Sequence, residues 1–185
     1  MRSTTFCGVM MSLLCGWVLC AASLGQAQEL PQFDPPTKDH EWLKQLEGEW
    51  DMEMSMTLPD GTSMNDKGTE AVKTMGGFWS VSESAAGVLT LGYDTKKKQY
   101  VGTFICGMND YMWKYEGQLD KTGKILTLET EGPNMIVPGK LAKYKDIITV
   151  TDKDTKVLES VILGPDDKWT SIMKATYTRK KESKK

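Results

Sequence analysis

The sequence predicts an all-β protein, an antiparallel up-and-down meander of about eight to ten strands that closes into a barrel and follows one short N-terminal helix. Runs in which apolar and polar residues alternate recur along the chain, for example at residues 111–117 and 144–150. This alternation indicates strands with one buried face. Clusters of Gly, Asp, Asn and Pro separate the runs, as tight turns require. Because an open meander leaves two exposed edge strands, closure into a barrel is favoured.

The first 27 residues are expected to be a signal peptide. Arg2 supplies the positive start, residues 6–22 form an apolar run, and Gly25-Gln26-Ala27 places small side chains at both cleavage positions. An uncleaved membrane anchor is the alternative, because residues 6–24 are just long enough to span a bilayer. The protein is therefore expected to leave the cytoplasm through the Sec pathway and to be periplasmic or secreted.

The rest of the chain has the size of one domain, which we place at residues 38–181, between a Pro-rich linker at 28–37 and a basic tail at 182–185. Lys and Arg number 23 and Asp and Glu 25, a net charge of −2. Binding of nucleic acid needs a dense basic face, so no nucleic-acid partner is expected, nor a membrane partner once the signal is removed. Cys106 is the one cysteine after the signal, which excludes an internal disulfide.

A short helix is expected to open the domain. Asp39 can cap it, Trp42, Leu43 and Leu46 share one face at helical spacing, and Gly48 supplies a stop. Strands and turns follow, with the turns expected at residues 59–61, 76–77, 94–98, 120–123, 132–134, 152–154 and 164–167.

Alternation also assigns residues to strand faces. The residues expected to share a face are Trp50, Met52, Met54 and Met56; Trp79, Val81 and Glu83; Tyr111, Trp113 and Tyr115; Tyr144, Asp146, Ile148 and Val150; and Trp169, Met173, Ala175, Tyr177 and Arg179.

Several segments resemble the bacterial family called domain of unknown function 1579 (DUF1579), uncharacterised exported proteins. They are LEGEW (46–50), KGTE (67–70), LGYDTKKKQYVGTF (91–104), MWKYEGQLDKTGKILTLETEGP (112–133), KYKDII (143–148) and TYTRKK (176–181). The resemblance extends from about residue 40 to residue 181. It implies no activity, since the family is named for the absence of a known one.

A second resemblance is to lipocalin-like barrels. Their Gly-x-Trp entry motif matches Gly48-Glu49-Trp50, and the arginine of their last strand, which packs across that tryptophan, corresponds to Arg179. Arg179 is the only arginine after the signal, and a planar guanidinium stacks on an indole better than an ammonium does. We expect Arg179 to lie over Trp50 near the closed end of the barrel and to contribute roughly 0.5–2 kcal/mol.

The chain lacks the usual motifs of catalysis and of cofactor binding. His40 is its only histidine and is expected to precede the helix, near the linker. There it is poorly placed to serve as the base of a nucleophilic triad unless the helix folds back over the barrel mouth. No Gly-x-Ser-x-Gly, Cys-x-x-Cys or phosphate-binding glycine loop is present. A histidine-ligated zinc or haem site would have only His40 to use, so nitrobindin-like haem barrels are a poor guide.

Two carboxylates could still support acid chemistry. If Glu83 and Asp146 point inward, burial would raise their pKa values and make them candidate general acids. The alternative is a strand-end residue or a hydrogen-bond partner for a core tyrosine.

Met52, Met54 and Met56 repeat every second residue, so neighbouring thioethers are about 7 Å apart along one strand face. Soft thioethers select Cu(I), and an exported protein can meet copper. Methionine also fills irregular cores, which is the alternative interpretation of this stripe.

The leading hypothesis is a binding barrel, without catalysis, that encloses a small apolar or amphipathic molecule. Its candidate lining residues are Trp50, Met52, Met54, Glu83, Tyr111, Trp113, Tyr115, Tyr144, Asp146 and Met173. Three alternatives remain: a Met-based Cu(I)-handling protein, a hydrolase-type enzyme that uses inward carboxylates, and a ligand-free structural or interaction barrel.

Overall fold

The computed structural model describes residues 34–58 and 61–181. The expected signal peptide at 1–27, the first part of the linker and the basic tail lie outside the described residues. The described residues from Pro35 to Lys181 belong to one compact unit.

One helix and ten strands make up this unit. The elements are α1 (Lys38–Trp42), which continues as a 3₁₀ turn (Leu43–Leu46), then β1 (Gly48–Thr57), β2 (Ser63–Met75), β3 (Trp79–Ser84), β4 (Gly87–Asp94), β5 (Gln99–Cys106), β6 (Trp113–Leu119), β7 (Ile125–Pro133), β8 (Leu141–Asp152), β9 (Thr155–Leu163) and β10 (Trp169–Arg179). Each strand pairs with the next, and β10 pairs with β1 to close the barrel. Every pairing is antiparallel. The predicted all-β barrel behind a short helix is confirmed.

The short helix closes one end of the barrel. Trp42, Leu43 and Leu46 are buried and pack in one cluster with Trp50. The indole nitrogen of Trp42 donates to the Gly123 carbonyl at 2.8 Å, and that of Trp50 donates to the Leu46 carbonyl at 2.9 Å. The helix and its 3₁₀ turn are therefore fixed to the barrel by both apolar packing and hydrogen bonds. We call this end the closed end.

The start of the helix differs from the expectation. Thr37, not Asp39, is the N-cap residue. Its backbone N–H donates to Nδ1 of His40 at 3.0 Å. The His40 ring is only 4% exposed and meets the rings of Phe78 and Tyr93 edge-on, with centroids 5.1 and 5.7 Å away. His40 thus lies inside the helix and has a structural role there.

The opposite end, which we call the mouth, is uneven in height. Strand β1 pairs with residues 63–72 of β2, whereas β3 pairs only with residues 70–75. The β1–β2 hairpin therefore extends beyond β3 and forms a raised lip on one side of the mouth.

A bulge in β10 reverses one face assignment. The register between β9 and β10 shifts between Ser171 and Met173, and such an extra residue turns the preceding side chains to the other face. Trp169 therefore lies outside the barrel, where the ammonium of Lys145 is 4.7 Å from the ring centroid. The expectation that Trp169 shares a face with Met173 is wrong for this reason.

Within the described ranges, no helix is both long and apolar enough to cross a membrane.

Candidate functional site

The two halves of the barrel interior differ in how completely they are filled. In the closed half, Trp50, Leu91 and Tyr100 are each 1% exposed, and Leu126 is fully buried. In the mouth half, a set of inward-facing apolar side chains is only partly buried although it packs against the core: Met54, Phe104, Trp113 and Met173. Because these side chains point into the barrel, their exposure shows that solvent enters the mouth half.

A small cavity lies inside the barrel and reaches Leu46 of the 3₁₀ turn. It measures about 30 Å³ and is lined by polar and apolar side chains, among them Glu70, Ser80, Ser82, Lys156 and Tyr177. That volume has room for about one or two water molecules. A larger ligand does not fit in this cavity.

A buried ion pair borders the cavity. Glu70 and Lys156 form a salt bridge with side chains that are 10% and 8% exposed. Ser82 donates its hydroxyl hydrogen bond to the Glu70 carboxylate at 2.5 Å. The Lys156 ammonium also lies 4.7 Å from the ring centroids of Trp50 and Tyr177. Burial lowers the pKa of Lys156, and the Glu70 carboxylate opposes that shift.

Neither member of the pair was named from the sequence, because the two residues are 86 positions apart. The sequence does indicate that Lys156 points inward, because it lies on the same face of β9 as the apolar residues Leu158 and Ile162.

A second polar cluster lies nearer the mouth. The Tyr115 hydroxyl donates to Asp146 at 2.7 Å, and the Ser160 hydroxyl donates to the other carboxylate oxygen at 2.5 Å. Burial raises the pKa of Asp146, while these two hydrogen bonds oppose the shift. Burial, together with the Asp146 carboxylate, also raises the pKa of Tyr115. Asp146 is therefore a hydrogen-bonded acceptor for a core tyrosine.

Thr130 adds an unpaired hydroxyl beside this cluster. It lies on β7 opposite Tyr144, two residues further toward the mouth than Leu128, which is opposite Asp146. Thr130 is 9% exposed, and its hydroxyl has no hydrogen-bond partner among the described residues. The oxygen is itself shielded from solvent. Because a buried polar group without a partner is costly, a hydrogen bond from a bound molecule that reached this hydroxyl would stabilise it.

Trp113 forms one wall of the mouth. Its ring meets that of Tyr144 edge-on, with centroids 5.1 Å apart, and covers Gly132, where an added Cβ would lie 2.2 Å from the indole. The Tyr144 hydroxyl donates to the Pro133 carbonyl at 2.6 Å and accepts from the backbone N–H of Met135 at 3.2 Å. Tyr144 therefore ties the loop after β7 to the wall that carries Trp113.

Tyr111 lies before β6 rather than within it. Its hydroxyl donates to the Glu131 carbonyl at 3.0 Å, and its ring is 5.5 Å from that of Trp113. The groove around it is formed with Lys114 and Glu131, both exposed residues of the outer face. Tyr111 supports the Trp113 wall from outside the inner face.

Glu83 is not inside the barrel. The inner positions of β3 are the buried Ser80 and Ser82, and Glu83 is exposed on the outer face. The expected pair of inward carboxylates, Glu83 with Asp146, is therefore wrong. The inner face of the described barrel carries three carboxylates: Asp66, which is opposite Met54 and exposed near the mouth, and the more deeply placed Glu70 and Asp146. Glu70 and Asp146 are each already engaged in hydrogen bonds with other side chains.

The remaining candidates lie on β1 and β10. Met52, Met54 and Met56 alternate with exposed residues and are half-buried. The Arg179 guanidinium carbon is 4.1 Å from the Trp50 ring centroid. Arg179 also donates to the backbone carbonyls of Lys153, Glu47 and Gln45. These contacts join the 3₁₀ turn, β1 and β10 at the closed end.

No group of three or more His, Cys, Asp or Glu side chains that could hold a metal ion occurs in the part of the chain that the structure describes.

Three solved structures are similar to this chain. An S-type phycobiliprotein lyase CPES from Guillardia theta is 11% identical with a TM-score of 0.50, over 80% of this chain and 95% of its own. A redesigned β-barrel, b11L5F_LGL, is 14% identical with a TM-score of 0.36, over 75% of this chain and 95% of its own. EF1p2_mFAP2b bound to DFHBI is 13% identical with a TM-score of 0.37, over 76% and 98% of the two chains. At 11% identity the likeness to the lyase concerns the fold alone.

Among curated proteins, none matches the chain by sequence. A family model described as "Protein of unknown function (DUF1579)" matches residues 35–179, which is nearly the whole barrel domain. The chain belongs to this family.

Proposed function

We propose that this protein binds a small amphipathic molecule in the mouth half of its barrel, without transforming it. The observation that carries the proposal is the partial exposure of Met54, Phe104, Trp113 and Met173, apolar side chains that point inward. Partly exposed apolar surface inside a concave site is what an apolar ligand covers. The filled closed half supplies a rigid floor beneath it.

The polar end of the ligand would meet the cluster around Asp146. The unpaired Thr130 hydroxyl can both donate and accept a hydrogen bond. Ser160 and Tyr115 already donate to Asp146, so their oxygens can accept from a ligand donor. An uncharged or weakly polar head that carries an N–H or O–H fits this arrangement, because a carboxylate on the ligand would face the Asp146 side chain.

The same geometry argues against a general acid–base enzyme. With Glu83 on the outer face, Asp146 has no second free carboxylate beside it, and Glu70 is paired with Lys156. A paired-carboxylate mechanism needs two groups with separate roles. Binding is therefore the better-supported function.

A neutral fluorescent probe, N-phenyl-1-naphthylamine, tests the proposal. It has apolar rings and one N–H, and we expect saturable binding with a rise in fluorescence. Trp113→Ala should weaken that binding by about tenfold, because it removes a large part of the apolar wall. Thr130→Val, which keeps the side-chain volume and removes the hydroxyl, should weaken it by about threefold or more.

Trp169→Ala is the matched control, since Trp169 is an equally large side chain that lies on the outer face. An equal loss in Trp169→Ala and Trp113→Ala would place the probe elsewhere. Native mass spectrometry of the protein purified from its own host gives the second test. A co-purifying molecule that is present with the unchanged protein and absent from Trp113→Ala supports the site. If no molecule co-purifies and the probe shows no saturable binding, the protein is a ligand-free structural barrel instead.

We also propose that the protein works outside the cytoplasm after cleavage behind Ala27. The positive start, apolar run and small residues of the first 27 positions support this proposal. Cell fractionation followed by N-terminal sequencing tests it. A first residue at Gln28 in the periplasmic or secreted fraction is expected, and an intact N-terminus in the membrane fraction would show an anchor instead.

A further inference from the structure

We propose that the lip of the mouth carries a site for a soft monovalent metal ion, Cu(I) or the chemically similar Ag(I), formed by the thioethers of Met56, Met64 and Met173. The three residues come from three adjacent strands. Met56 of β1 is directly opposite Met173 of β10 and directly opposite Met64 of β2. One row of three methionines therefore crosses the sheet at the level of the lip.

The geometry of the row allows the three sulfur atoms to meet. Residues that are directly opposite in an antiparallel pair share a face and have Cβ atoms about 4.5–5.5 Å apart. The inner face of a barrel is concave, so side chains from neighbouring strands converge. Methionine has three rotatable side-chain bonds and adapts to irregular gaps. The thioethers of Met64 and Met173 can thus lean toward the central one of Met56.

Accessibility is suited to metal entry. Met64 is 53% exposed, while Met56 and Met173 are half-buried. The row therefore has a side open to solvent and a side backed by the barrel interior. A thioether row that was completely buried could not be reached, and one that was completely exposed would not be preorganised.

The other methionines of β1 do not have such neighbours. Met54 is opposite Asp66 and Ala175, and Met52 is opposite Gly68 and Tyr177. A stripe along one strand holds its thioethers about 7 Å apart, whereas the row across three strands places them side by side. Strand pairing therefore moves the candidate metal site from Met52, Met54 and Met56 to the cross-strand row.

Ligand chemistry selects the ion. Thioethers are soft and uncharged, and they favour Cu(I) over harder ions such as Zn²⁺ or Mg²⁺. Sites built from Cys or His release protons when they bind a metal, so their affinity depends on pH. A thioether has no proton to release, so affinity for Cu(I) should be the same at pH 5.5 and at pH 7.5.

The metal row can be tested separately from the ligand site proposed in the mouth half. Met173 lines both sites, but the ligand site is tested through Trp113 and Thr130, and the metal row also needs Met56 and Met64, which are not part of the ligand site. Either proposal can fail without the other, because probe binding and metal binding are measured independently.

The experiment titrates Cu(I) into the protein under anaerobic conditions, with a chromophoric chelator as competitor. We expect one Cu(I) per chain, bound more tightly than micromolar, and a loss of about tenfold or more in affinity for Met56→Leu, Met64→Leu and Met173→Leu. Leucine keeps the apolar volume, and unchanged urea unfolding curves would show that the fold is intact.

Met75→Leu and Met108→Leu are the matched controls, because Met75 and Met108 are 60% and 83% exposed and lie outside the row. Cys106→Ser controls for the thiol, since Cys106 is the free cysteine of the described chain. These three variants should bind Cu(I) as the unchanged protein does. The proposal is overturned by the absence of binding tighter than micromolar, by an equal loss in a control methionine variant, or by loss of binding in Cys106→Ser.

Discussion

Replacing Lys156 with Met should strongly destabilise the barrel. The change leaves Glu70 with only its hydrogen bond from Ser82, in an environment where the residue is 8% exposed. Removing one member of a buried ion pair typically costs about 3–5 kcal/mol, because the remaining charge has lost its partner. Glu70→Leu should cost less, near the lower end of about 3–5 kcal/mol, because Lys156 keeps its contacts with the Trp50 and Tyr177 rings.

The double variant separates charge compensation from packing. Glu70→Leu with Lys156→Met removes both charges and keeps side chains of similar volume, and such replacements range from neutral to stabilising by about 1–4 kcal/mol. The hydroxyl of Ser82 then loses its acceptor, at a cost of about 1–3 kcal/mol. The double variant should therefore lie within about 3 kcal/mol of the unchanged protein, although the two single changes add up to at least about 6 kcal/mol.

The free energy of unfolding of the unchanged protein, the two single variants and the double variant is measured by urea unfolding, followed by tryptophan fluorescence. The four values can be compared if the m-values are equal. A double variant as unstable as the sum of the single variants would refute the reasoning, since it would mean that the pair stabilises the fold by more than mutual neutralisation. A Lys156→Met variant whose free energy of unfolding is within about 1 kcal/mol of the unchanged protein would refute it as well. A buried carboxylate without a partner should destabilise the fold by more than that.

Three further changes have definite expected outcomes. Arg179→Lys should lower the free energy of unfolding by about 1–3 kcal/mol, measured in urea, because lysine loses the fork that contacts three carbonyls and the stacking on Trp50; an unchanged midpoint would contradict this. Gly132→Ala should displace the Trp113 ring, which an added Cβ would approach to 2.2 Å, and so weaken probe binding while strand content by circular dichroism stays the same. Asp146→Asn should gain stability relative to the unchanged protein as pH rises from about 4 to 7. Because burial raises the pKa of Asp146 in the folded state, the unchanged protein loses stability over that range and the variant does not; parallel stability curves would count against it.

The barrel could be predicted because its cause is local. Alternation along runs such as 48–57, where inward Trp50, Met52 and Met54 alternate with exposed acidic residues, defines strands without reference to the rest of the chain. Turn residues between the runs leave a meander as the simple connection. Strand number and closure follow from the same pattern, since ten short strands need their edges paired.

Alternation defines the two faces of a strand but does not say which of them is the inner one, and on β3 the assignment was wrong. On β3 the set with Trp79 is more apolar than the set with Ser80 and Ser82, and yet it faces solvent. Trp79 is opposite Gly92 and covers it from outside, where an added Cβ would lie 2.5 Å from the ring. Ser82 instead turns inward because it donates to Glu70. An apolar face was thus mistaken for an inner one.

The polar groups inside the barrel could not be derived from spacing, because their partners are distant along the chain. Tyr115 and Asp146 are 31 positions apart, and Glu70 and Lys156 are 86 apart. Only the pairing register brings such residues together. The same limit applies to Met56, whose methionine neighbours on β2 and β10 become visible only when strand order is known.

The pairing of β1 with β10 determines when the domain can fold. The first and last strands are neighbours, with Trp50 opposite Arg179, so the contact that closes the barrel joins residues from the two ends of the domain. Contacts this distant in sequence slow folding, since a long loop must be ordered before they form. Until β10 has paired with both neighbours, the edges of β1 and β9 are exposed. Those two edges are the places where a partly folded barrel can pair with a strand of another chain.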